Sequence, residues 1–249
     1  MNKLHFSSSR SRQAGFTLVE MMVAMTIGLV VIFGMTATFV NLKSTFKSQD
    51  SLGQLQDNER LALTFLTTAV NEAGYYPNPM AGTTITNTSL TDNWSGNMPA
   101  SVGIFGTADG GGPTNTESLQ TAFSTTSTDG LISCIGTSYA GAGTVTVRNV
   151  FYVDPTTNSL MCKVYVNSAK VDAMANAGTP AVLISGVKSM SVAYGLASSG
   201  SQIASYKTPG NLVAANWPSV KSVRITLVFV NPFDAATPIT RTHTINLMN

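Results

Sequence analysis

The chain opens on a polar stretch, Met1 to Gly15, and then turns apolar: Met21 to Val40 is a run of twenty residues without a formal charge. At about 1.5 Å per helical residue the run measures ~30 Å, the thickness of a bilayer's hydrocarbon core. Past it the pattern changes rather than stops. Leu42, Phe46, Leu52, Leu55, Ala62, Leu63, Leu66, Val70 and Ala73 recur mostly at three- and four-residue steps, with Lys43, Lys47, Asp50, Asp57 and Arg60 between them. That is the periodicity of an amphipathic helix. No proline interrupts Phe16 to Tyr76, and Gly74 ahead of Pro77 reads as a stop. The spacing predicts one helix over 16–74, membrane-spanning over 21–40 and amphipathic over 41–74, roughly 87 Å long if helical throughout.

From Met80 to Gly130, 30 of 51 residues are Gly, Ser, Thr or Asn, so 75–130 is expected to be a surface loop region. Beyond it six runs alternate or are β-branched: Leu131 to Ile135, Thr144 to Val153, Leu160 to Val166, Val182 to Tyr194, Val220 to Val230 and Thr240 to Leu247. Asp154-Pro155-Thr156-Thr157-Asn158 reads as the loop of a hairpin. A long helix followed by antiparallel strands predicts an α+β fold, with a β-rich head over 131–249.

Composition changes this picture at few points. Only 10% of the 249 residues are charged, against ~25% in an ordinary soluble domain. The net charge of +2 owes three positives to Lys3, Arg10 and Arg12, and no basic patch follows, so nucleic acid is not predicted as a partner. Those three residues precede the apolar run and place the N-terminus in the cytoplasm and the head in the periplasm or beyond. A cleaved secretory signal would have a shorter apolar region of ~7 to 15 residues.

Candidate chemistry is sparse. His5 and His243 are the only histidines; His243 reads as a surface strand residue rather than a member of a triad. No catalytic residue, metal site or cofactor is predicted. The acids of the loop region, Asp92, Asp109, Glu117 and Asp129, lack EF-hand spacing. Gly110-Gly111-Gly112-Pro113 has no Gly-Lys-Ser/Thr after it and reads as a turn. Cys134 and Cys162 both fall in predicted strands beyond the cytoplasm and are expected to join, two buried thiols being the alternative. Glu20 is the exception to the sparseness. It is the only charge between Arg12 and Lys43, and a carboxylate in an apolar helix is costly unless paired, which marks it as functional.

Gly15-Phe16-Thr17-Leu18-Val19-Glu20, behind a basic leader and ahead of an apolar helix, resembles the type IV prepilin signature. The resemblance implies that 1–15 is a leader peptide, that prepilin peptidase cuts between Gly15 and Phe16 and methylates the Phe16 amine, and that Glu20 pairs with a neighbouring subunit's amine during assembly. Within that superfamily, three stretches are similar to PilW-type minor pilins. They are Asn58-Glu59-Arg60 through Asn71-Glu72-Ala73-Gly74-Tyr75, Gly186-Val187-Lys188-Ser189-Met190 with Tyr194-Gly195, and Trp217-Pro218-Ser219-Val220 through Ile225. Where relatives often carry an acidic turn, this chain has Leu196-Ala197-Ser198-Ser199-Gly200, so no metal is expected there.

The resemblance implies a non-enzymatic minor pilin that joins other minor pilins and the major pilin, initiates filament assembly, and sits at or near the tip with an adhesin, supporting adhesion and twitching motility. It implies the inner membrane before assembly and the extracellular pilus after it. A minor pseudopilin of a type II secretion system and a membrane-tethered periplasmic enzyme are the alternatives; the second lacks any nameable nucleophile, base and orienter.

Overall fold

The structure, a computed structural model, describes residues 15–77, 98–99, 102–108, 116–166, 174, 177–199, 202–234 and 236–247. The chain divides into two units, Met1–Asp50 and Ser51–Asn249. One helix, α1 (Leu18–Glu72), contributes to both. In the first unit its hydroxyls bond back to its own carbonyls: Thr26 to Val23 at 2.8 Å, Thr36 to Ile32 at 2.8 Å and Thr38 to Gly34 at 3.0 Å. Polar side chains satisfied within the helix are what an apolar solvent requires.

The second unit holds two antiparallel sheets. The first is a meander of β1 (Ile104–Thr107), β2 (Ser118–Thr125), β3 (Val145–Asp154), β4 (Ser159–Val166) and β5 (Ala181–Ser185), in that order. The second comprises β6 (Val187–Ser199), β7 (Gln202–Lys207), β8 (Val220–Phe229) and β9 (Ile239–Asn246), ordered β7-β6-β8-β9. Leu55, Ala62, Leu66, Ala69 and Val70 from α1, with Ala73 just after it, are buried in one core with residues of both sheets, among them Leu119, Phe151, Tyr194, Ile225 and Phe229. Leu63 packs against that core, whereas Leu52 of the predicted stripe is 42% exposed. A second, smaller cluster forms around Phe123, Tyr139, Val145, Val147, Val164 and Val166, with Leu131, Cys134 and Ile135 packed on it.

Local chemistry sets the ends of these elements. Gly74 takes φ +88° and terminates α1, the left-handed position that glycine fills without a Cβ penalty. Its N–H then donates to the Ala122 carbonyl at 2.8 Å, and the Tyr75 carbonyl accepts from Ser124 at 2.9 Å, so the chain leaves the helix along β2. In the hairpin between β3 and β4, Asp154 Oδ1 accepts from the Thr156 N–H at 2.9 Å and its hydroxyl at 2.6 Å, and Asn158 sits at φ +49°. These bonds, first the Thr156 hydroxyl, hold the Asp154 carboxyl below its ordinary pKa.

Four expectations are corrected. The stretch read as loop contains β1 and β2. β2 was hidden by its polarity: Ser118, Gln120, Thr121, Ser124 and Thr125 are all buried, paired on both sides by β1 and β3. Leu131 to Ile135 is no strand; Ile132 makes an isolated bridge to Ser138, and Gly130 and Gly136 at φ +70° and +76° turn the chain, so Cys134 lies in a turn. Val182 to Tyr194 is two strands in different sheets, separated by Gly186 at φ +83°. β7 was not anticipated; as an exposed edge strand it lacks the apolar alternation that marks a buried one.

Candidate assembly surface

The N-terminal end is built for contact with something outside the chain. Phe16, 83% exposed, stands two residues ahead of the helix. Thr17 caps it: the Glu20 N–H donates to Thr17 Oγ1 at 3.3 Å and the Met21 N–H to the Thr17 carbonyl at 3.2 Å. Thr17-Leu18-Val19-Glu20 therefore carries the Ser/Thr-x-x-Glu spacing of a helix start. Glu20 stands in the first turn, where the helix dipole favours negative charge. The Ser/Thr-x-x-Glu spacing is itself the sequence cue for this second, local role of Glu20.

Beyond the cap, Leu18, Met22, Ile27, Val30, Phe33 and Phe39 are all exposed. By length and composition this helix can cross a membrane. Apolar surface of such extent marks a site of contact with lipid or protein.

In the head, Cys134 in its turn is bonded to Cys162 on β4, with the Cα atoms 6.4 Å apart. The Cys134 N–H donates to Asn149 Oδ1 on β3 at 3.1 Å, so a covalent and a hydrogen bond both hold that turn to the sheet. Nearby sequence acids are structural. Glu117 accepts the Val192 N–H at 2.7 Å, closing the stretch of β6 that β7, paired from Tyr194 onward, leaves open. Asp129 accepts the Thr126 N–H at 2.7 Å. Burial, with the Glu117 charge second, pushes the Tyr194 phenol well above its ordinary pKa; its hydroxyl donates to the Phe105 carbonyl at 3.2 Å. Trp217 packs on both rings, 4.6 Å from Phe105 and 4.8 Å from Tyr194 between centroids.

Asp92, Asp109, residues 110–113 and residues 1–14 lie outside the described residues, as does Gly200. Among the described residues no group of three His, Cys, Asp or Glu side chains could hold a metal ion. His243 is exposed on β9, in a cleft shared with Arg60, Leu63, Thr64, Thr67 and Thr68, which supplies neither an acid nor a second base.

Two ties between α1 and the sheets escaped the sequence reading altogether. Arg241 Nε on β9 donates to Glu59 Oε2 at 2.9 Å, and Asn58 Nδ2 donates to the Ser185 carbonyl at 3.2 Å. Arg241 is 53% exposed, so the ion pair contributes about 0 to 1 kcal/mol and mainly sets how the helix lies on β9.

Residues 10–36 match the family model of the prokaryotic N-terminal methylation motif. Residues 144–248, from β3 to the end of β9, match that of the type IV pilus-assembly protein W. No curated protein matches the chain.

Proposed function

Because the chain is a PilW-type member of the type IV pilin superfamily, we propose that it works as a minor pilin in the complex that initiates a type IV pilus and stays at or near the tip. One observation carries the reading: the methylation signature introduces an uncovered apolar helix on the same chain as a PilW head. Prepilin peptidase cuts between Gly15 and Phe16 and methylates the new amine. That amine pairs with the acid equivalent to Glu20 on a neighbouring minor or major pilin. Before assembly the helix anchors the chain once through the inner membrane, with the head periplasmic. In the filament the same apolar side chains exchange lipid for other helices, so close van der Waals packing and the Glu20 pairing, rather than removal from water, hold them.

Glu20 sets register more than it adds energy, since desolvating an ion pair offsets most of its attraction. The head supplies no chemistry in this scheme; it displays loops and strand edges to partners, a tip adhesin included, and so supports adhesion and twitching motility. Intact and N-terminal mass spectrometry of the protein from sheared filaments and from membranes is the test. A chain beginning at N-methyl-Phe16, scarce but present in filaments, supports the proposal. An uncut chain confined to membranes of cells with active prepilin peptidase refutes it.

A further inference from the structure

Between the last turns of α1 and the disulfide-bonded turn lies a cavity of about 200 Å³. Phe65 and Ala69 of the helix form one wall, Ile132 and Cys134 of the turn another, and Phe151 of β3 contributes to the lining. The rim is unusually apolar for a surface. Ile132 is 52% exposed and Phe65 39%. Apolar side chains this open around a preformed hollow, with walls fixed by a helix and a disulfide, are what a docking pocket presents.

Among the described residues Glu72 is the only charged one in the lining, and no lysine, arginine or histidine joins it there. Other acids of the head have donors: Glu59 has Arg241, Glu117 the Val192 N–H, and Asp154 and Asp234 the groups of their own turns. Among the described residues none of the hydrogen bonds or ion pairs reaches the Glu72 carboxylate, and its partial burial raises its pKa. A carboxylate held against apolar walls without a counter-charge is stabilised by an incoming cation and repels an anion.

We propose that this cavity receives a segment of another protein that presents an apolar side chain to the Phe65–Ile132 rim and a lysine or arginine to Glu72. An anionic lipid surface would bring the wrong charge. A partner segment of this kind covers the exposed rim and neutralises the acid in one step, and the two requirements together give specificity that neither gives alone. The inference does not depend on where the chain ends up, because it concerns the head and its partner in membrane or filament alike.

The test uses the full chain in its own cells, with p-benzoylphenylalanine replacing Ile132 in one strain and Phe65 in another. After irradiation, the cross-linked peptides from membranes and filaments are sequenced. The expected result is a peptide from another protein with a lysine or arginine within a few residues of the cross-linked apolar side chain. Glu72→Lys should lower its yield about tenfold, and the shape-preserving Glu72→Gln by a smaller factor, because removing one partner of a desolvated charge pair acts mainly on dissociation. Retention of the Cys134–Cys162 bond in each variant, read by mass, establishes that the wall is intact. Cross-links to lipid or to the chain itself only, peptides without a basic residue, or yields indifferent to both substitutions would overturn the proposal. A correct cross-link in a chain that never enters filaments would support it while refuting the minor-pilin reading.

Discussion

Replacing Cys134 and Cys162 together by alanine removes a bond between residues 28 positions apart. Closing a loop of that length takes entropy from the unfolded chain worth about 3.6 kcal/mol at 25 °C in the chain-entropy treatment. The Cα separation of 6.4 Å lies within the usual disulfide range of ~4.4 to 6.8 Å, so the backbone need not move when the bond is lost. Nearly the full effect should therefore appear as lost stability. Cys162 is fully buried, and trimming its sulfur adds to the loss.

For a unit of this size each kcal/mol moves the melting temperature by about 2 to 4 °C, so a fall of roughly 7 to 14 °C is expected. Thermal melts of the mature protein in detergent, followed by circular dichroism, measure it; the wild type with reductant should behave alike. The loss should also be local. Leu131, Cys134 and Ile135 pack on the smaller cluster around Phe123 and Val147, so amide exchange should quicken first between residues 131 and 139. A fall under about 2 °C, with the bond verified present in the wild type and absent in the variant, would refute the entropy argument. Exchange rising evenly across both sheets would refute the assignment of the bond to that turn.

Leu66 is fully buried while Leu61, on the same helix, is 49% exposed; denaturant titration should show Leu66→Ala costing roughly 3 to 5 kcal/mol and Leu61→Ala under about 0.5. A Cβ at Gly106 would collide with the Tyr194 hydroxyl and ring. Gly106→Ala should cost about 1 to 3 kcal/mol, and Tyr194→Phe should cost less in the Gly106→Ala background than alone, a coupling that a double-mutant cycle reads directly. Glu72 has its pKa raised by burial, so the folded state holds that proton more tightly than the unfolded one, and its contribution is lost as pH rises through the folded pKa. Glu72→Gln should therefore gain stability relative to wild type near neutrality and lose that advantage below the ordinary carboxylate range, as denaturation at the two pH values would show.

Elements governed by near neighbours were legible in the chain. Three- and four-residue spacing announces α1, Gly74 its end, and β-branched alternation β3, β4, β8 and β9; Asp154 through Asn158 is a turn because its own side chains bond its backbone. The elements that were missed depend on who lies beside them. β2 reads as a loop because Ser, Thr and Gln are ordinarily solvated, yet it is flanked by β1 and β3 and buried throughout. Gly186 interrupts what reads as one strand, since only its backbone angle sends β5 and β6 into different sheets.

The same division runs through the candidate sites. The proposed roles of Gly15, Phe16 and Glu20 rest on order along a short stretch: a basic leader, the Gly15-Phe16 junction, and an acid one turn into an apolar helix. That Cys134 and Cys162 could pair was visible in the sequence, but not that one of them occupies a turn guarding a cavity. Glu72 shows the limit best. In the sequence it is one more helix acid; only folding brings Ile132 and Phe151 to the face it shares with Phe65. Local order sets helix, turn and signal through short-range hydrogen bonds and sterics. Which charges lose their water, and which apolar side chains keep theirs, is decided by residues distant in the chain that meet only when the core closes.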